Sequence, residues 1–158
     1  MRTSDRIRYK INTASVTEKL IAVNVIVFLF FGILNTIFSL FEIPGFANFY
    51  DWFVLPSDPA EFILKPWTII SYSFLHGGIF HLISNMLILY FSGIYFLNFF
   101  SPKRLLNYYF LGVIIGGLVF MLSYNLFPAF AGGKSYLVGA SAGVMAVLIG
   151  VATQAPNM

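Results

Sequence analysis

LIAVNVIVFLFFGILNTIFSLF, from Leu20 to Phe41, runs 22 residues without a charge. At ~1.5 Å per residue, such a helix covers the ~30 Å hydrocarbon core of a bilayer. Asn24 and Asn35 interrupt the run and are expected to face other helices or the interface. Arg2, Arg6, Arg8 and Lys10 precede it, as in a secretory signal. A signal core, however, has roughly 7–15 apolar residues and ends at a small-residue cleavage site, and neither description fits. The segment reads as a retained transmembrane helix.

Composition agrees. The chain has 158 residues, 59% of them hydrophobic and 9% charged, with mean hydropathy +0.85. A soluble domain covers its surface with roughly a quarter charged residues, so the solvent implied here is lipid. There are no cysteines, which excludes disulfides and thiolate metal sites, and two histidines alone make a zinc centre improbable. No metal and no cofactor is expected. The net charge of +3 comes mostly from the N-terminal tail. A basic tail beside a span signals cytoplasmic topology rather than nucleic-acid binding, so the expected surroundings are the lipid bilayer and no nucleic acid.

The chain divides into a basic tail, 1–18, and a membrane domain, 19–158. Its expected spans are 20–41, 79–99, 105–126 and 139–155. Between the first two lies a long loop, 42–66, with four of the seven prolines and four of the six acidic residues. Its aromatic content suggests a segment partly sunk among headgroups. Pro102 suits the first turn of the third span. With four spans, the tail and the 100–104 connection share one side. That side carries Arg2, Arg6, Arg8, Lys10, Lys19, Lys103 and Arg104, against Lys65 and Lys134 opposite. The N-terminus is therefore expected in the cytoplasm, with residue 139 entering from the outer side.

That orientation brings three polar residues to one leaflet. Ser141 stands in Gly139-Ala140-Ser141-Ala142-Gly143, at the mouth of the last apolar run. Alone it reads as a packing residue, because serine is common between membrane helices. Gly139, Gly143, Ala146 and Gly150 form a close-packing stripe beside it. The string also matches the nucleophile elbow of soluble hydrolases, but that motif joins a strand to a helix, and nothing in the sequence reads as a strand. His81 and Asn85 lie four residues apart, on one helical face. Each alone could be a satisfied interhelical hydrogen bond. Together, at the depth of Ser141, they suit an oxyanion, which neutral donors stabilise without adding a buried charge. His76 is expected to serve the long loop as a structural hydrogen-bonding group, and Trp52 and Trp67 to anchor at the interface.

Trp67-x8-His76-x4-His81-x3-Asn85, followed one span later by Gly139-Ala140-Ser141, resembles the rhomboid family of intramembrane serine proteases. The resemblance covers most of the chain after the tail. It implies an all-α polytopic membrane helix bundle with four transmembrane helices present of an expected six. Ser141 would be the nucleophile, and His81, Asn85 and the Ser141 backbone N–H would form the oxyanion hole. His76, Gly139, Gly143 and Trp67 would be structural neighbours of that site. The substrates would be transmembrane proteins cut near their outer ends. Ala142 stands where the family usually has glycine, Thr68 where many members have arginine, and Leu97 where many have glutamate.

The resemblance further implies a histidine base on a sixth helix. The chain's only histidines, His76 and His81, belong to the oxyanion helix. The expectation is a fragment of a longer protein, inert alone because serine without a base is a poor nucleophile. On that view the Gly139–Gly150 stripe has lost its packing partner. Two alternatives stand beside the protease: a rhomboid-like pseudoprotease that binds transmembrane helices without cleavage, and a transporter subunit. The expected location is a bacterial plasma membrane, with the active site toward the outer face. Oligomeric state has no signal in the sequence.

Overall fold

The computed structural model describes residues 5, 8, 9, 12–130 and 133–154. Arg2, Arg6 and Lys10 of the tail, and position 155 of the fourth expected span, lie outside the described residues. The elements run α1 (Val16–Leu40), α2 (Phe46–Tyr50), β1 (Leu55–Pro56), α3 (Pro59–Leu64), α4 (Thr68–Ser71), α5 (Ile79–Phe99), α6 (Pro102–Leu126), β2 (Tyr136–Leu137) and α7 (Ser141–Ala152). Short 3-10 turns follow α4 at Tyr72–Phe74 and α6 at Pro128–Phe130.

Helices α1, α5 and α6 are long and apolar enough to cross a membrane. The architecture is an all-α membrane bundle. The fourth apolar run is shorter than the other three: α7 has 12 residues, ~18 Å of rise, opening after residues 139 and 140 and ending before Thr153.

Caps explain where the helices begin. Ser15 accepts a hydrogen bond from the Glu18 N–H at 3.2 Å, and the Glu18 carboxylate accepts one from the Ser15 N–H at 2.6 Å. This reciprocal capping box starts α1 at Val16, ahead of the apolar run. Ser101 caps α6, with Pro102 in its first turn. Asp58 caps α3 by accepting from Ala60 N–H, and Pro59 follows it.

Helix α7 lies at the centre, packed most extensively on α6 and next on α5. Its Val144, Val147 and Val151 meet Leu105, Tyr109 and Val113 of α6 and Leu89 and Phe96 of α5 in one core. The stripe on α7 does have a partner, contrary to expectation, and that partner is within the chain. Gly112 of α6 has no room for a Cβ because Ala146 and the Ala142 carbonyl oxygen fill it. A Cβ on Gly143 would sit 2.8 Å from the Tyr109 ring, and one on Gly150 would sit 2.9 Å from Phe96 and Tyr108. Ala142, in place of the family's glycine, rests against Gly116, so the extra methyl is matched by a missing one opposite.

The long loop is more ordered than expected, since it forms α2, β1 and α3. It also contains a strand for which the sequence has no signal. Leu55 and Pro56 pair antiparallel with Leu137 and Tyr136. The Ser57 N–H donates to the Ser135 carbonyl at 2.8 Å, and the Asn125 amide donates to the Ser57 carbonyl at 2.9 Å. Two-residue strands are too short to show alternation, which is why periodicity misses them.

Candidate functional site

Strand β2 leads through Val138, Gly139 and Ala140 into α7, whose first residue is Ser141. A strand thus precedes the Ser141 helix after all. The special backbone position is Gly139, at φ +122°, rather than Ser141. Only glycine adopts that region without strain.

His81 makes Gly139 doubly necessary. A Cβ there would lie 2.7 Å from His81 Cε1 and 2.8 Å from Nε2. The ε edge of the imidazole therefore rests on the backbone that opens the Ser141 helix. On the other side, the Gly139 N–H donates to the Tyr72 carbonyl at 3.0 Å. Tyr72, 1% exposed, also donates its hydroxyl to the Val113 carbonyl at 2.7 Å. One residue thus ties the turn to α6. Burial, aided by nearby Tyr109, pushes the Tyr72 phenol up to about 12, so it stays a neutral donor. Sequence reasoning missed Tyr72, because a tyrosine in an apolar stretch carries no distinguishing signal.

Asn85 is buried on the same face of α5 and donates from Nδ2 to the His81 carbonyl at 2.9 Å. One of its two N–H groups is thereby spent on its own helix. Ser141 is exposed at the helix start, and among the described residues no hydrogen bond joins its hydroxyl to His81 or Asn85. It borders an open apolar hollow of about 350 Å³ with Tyr72, Gly116, Phe120, Leu137 and Met145. The structure therefore brings His81 to the Ser141 turn without bonding the two side chains. Chemically, the arrangement offers a hydroxyl, unpaired first-turn N–H groups at the positive end of a helix, and an imidazole edge.

His76 departs from its expected role. It is 7% exposed, and neither ring nitrogen reaches a hydrogen-bond partner among the described residues, so it does not bond the loop. Its ring stands edge to face against His81, centroids 5.1 Å apart. Burial first, then the neighbouring His81, pushes it down to about 4. The imidazole is neutral at physiological pH.

Trp67 lies with the loop rather than with Ser141. Its indole N–H donates to the Trp52 carbonyl at 2.8 Å, and the two rings stack at 5.8 Å. Thr68 is fully buried and donates its hydroxyl to the Lys65 carbonyl at 2.6 Å. Leu97 packs against the core. Both positions are filled by local contacts without the ionic groups that many family members carry there.

Comparison with known proteins adds three findings. The family model of the Rhomboid domain matches residues 64–157, which is 94 of 158 positions. The chain is 37% identical over 82 residues to the protein named "Inactive RHOMBOID-like protein 8" of Arabidopsis thaliana. That stretch is 51% of this chain but only 23% of the plant protein's length. No solved structure matches.

Proposed function

Since the chain belongs to the rhomboid family, we propose that it carries the nucleophile and oxyanion half of an intramembrane serine protease site. Ser141 attacks a peptide carbonyl of a transmembrane substrate. The Ser141 N–H, His81 and Asn85 hold the resulting oxyanion. The observation that carries this reading is the His81 edge seated on Gly139, two residues before Ser141. Donors fixed beforehand around developing charge cost no reorganisation when it appears, and each is worth ~10²–10³ in rate. The proton acceptor must be another group: His76 and His81 are the two histidines here, and neither bonds the hydroxyl. The 158 residues alone are therefore expected to be inert.

The proposed orientation puts Arg8, Lys19, Lys103 and Arg104 in the cytoplasm and the Gly139 turn toward the outer face. A bacterial plasma membrane remains the proposed location, although the relative named above is from a plant. A second reading, a rhomboid-like protein that binds transmembrane helices without cutting them, is favoured by that relative's printed description as inactive.

A fluorophosphonate probe separates the two readings. The expected result is Ser141 labelled in native membranes, lost in Ser141→Ala, and absent from the isolated 158-residue chain. Absence of Ser141 labelling in native membranes would favour the binding protein. Labelling of the isolated chain would overturn the need for an outside base.

A further inference from the structure

A second cavity, of about 160 Å³, opens where α1, α2 and the Leu75–His76 segment meet. Phe28 and Phe31 of α1 and Phe46 of α2 form apolar walls, and Asn35, Tyr50 and His76 supply polar atoms. Phe31 is the hub of the wall, with ring contacts at 5.3 Å to both Tyr50 and Phe53. His76 is the unusual member: an imidazole more than nine-tenths buried, lining a cavity, with Nδ1 and Nε2 both unpaired among the described residues.

A neutral imidazole has one donor and one acceptor. Leaving such a group buried and unpaired is unfavourable, and native proteins resolve this with a partner or an ordered water. A cavity near 150 Å³ stays dry when its walls are purely apolar. Here a ring nitrogen pair, a carboxamide and a phenol line the same space, and neither Asn35 nor Tyr50 spends its side chain on a hydrogen bond within the described protein. The volume is several times the ~10–15 Å³ that one water needs.

We propose that this cavity is a hydration chamber in which water hydrogen-bonds His76, Asn35 and Tyr50, and that His76 acts through its ring contact as a positioning residue for His81. The link to His81 rests on the oxyanion role proposed above, whereas the hydration does not. Water held on His76 fixes which way that ring turns. The ring in turn bounds the space open to His81, whose far edge rests on Gly139.

The test uses the full chain in lipid nanodiscs and hydroxyl-radical footprinting, which oxidises side chains beside water. Phe31 and Phe30 are adjacent on α1, and Phe30 is the more exposed, 51% against a half-buried Phe31. The expected result is Phe31 oxidised several-fold faster than Phe30, despite its lower exposure. Equal or slower oxidation of Phe31 would mean a dry or lipid-filled cavity and would overturn the proposal. This wild-type comparison stands even if variants fold poorly. Among variants, His76→Gln is expected to keep the fast oxidation and His76→Phe to lose it. In nitrogen-15 spectra, the His81 ring signals should move in His76→Phe and return in His76→Gln. If they stay unmoved, the positioning role is overturned. A failure of Ser141 to react with the fluorophosphonate would leave the oxidation pattern as it is.

Discussion

Helices α1 and α6 each have 25 residues and would each span a bilayer, yet they meet the molecule differently. Helix α6 buries Leu105, Tyr109, Val113, Gly117 and Met121, a row at four-residue spacing along nearly its whole length. The buried residues of α1 are Thr17, Leu20 and Asn24, all in its first nine positions. Beyond them Ile26, Leu29 and Ile33 lie more than half exposed. One helix is seated along its length; the other is buried only at its first end and beyond it touches the protein on one face, where Phe31 and Phe38 meet the rings of 46–53. Both are apolar enough to cross a membrane, so that property alone does not tell the seated helix from the other. Glycine placement does: Gly112 of α6 has a neighbour where its side chain would be, and Gly32 of α1 has open space.

The sharpest way to break this contrast is at the turn that α6 supports. Gly139→Ala meets both a forbidden φ and the His81 ring. It is expected to cost about 3 kcal/mol, from backbone strain and overpacking together. Reversible unfolding in mixed micelles measures it, and a loss near zero would mean that His81 does not rest there. Next in size, Gly112→Ala forces α6 off Ala146 and the Ala142 carbonyl. About 2 kcal/mol of destabilisation is expected by the same assay, with the largest spectral shifts in α7. The smallest effect has the opposite sign. Gly32→Ala adds a methyl into open space within a helix and is expected to stabilise by up to about 1 kcal/mol. If the same substitution on α1 and α6 shifted stability alike, the distinction between the two helices would fall.

The contrast also marks what could be read from residues alone. Long apolar runs announce α1, α5 and α6 because lipid demands length, and Pro102 announces its own first turn. The pentapeptide around Ser141 and the His81–Asn85 spacing single out the candidate site, and the structure sets His81 beside the Ser141 turn. The Ser15–Glu18 box and the Asp58-Pro59 start of α3 are legible as caps, although each stands in a stretch too polar or too irregular to announce a helix. Three features had no local signal. Strands of two residues show no period, a glycine stripe does not name its partner, and Tyr72 differs from other tyrosines only through contacts distant in sequence. His76 differs from its expected role because its spacing shows a polar residue near the loop but not that both ring nitrogens are buried without a partner among the described residues.

The pairing of Leu55 with Leu137 sets an order of assembly. The two residues stand 82 positions apart, with α5 and α6 wholly between them. A contact that distant carries the entropy of closing a long loop, unless the intervening chain is already folded back on itself. During synthesis, the first strand must wait for both intervening hairpin arms to leave the ribosome and enter the bilayer. The turn that carries Ser141 is thus completed late, after α5 and α6 have been made and folded back on each other.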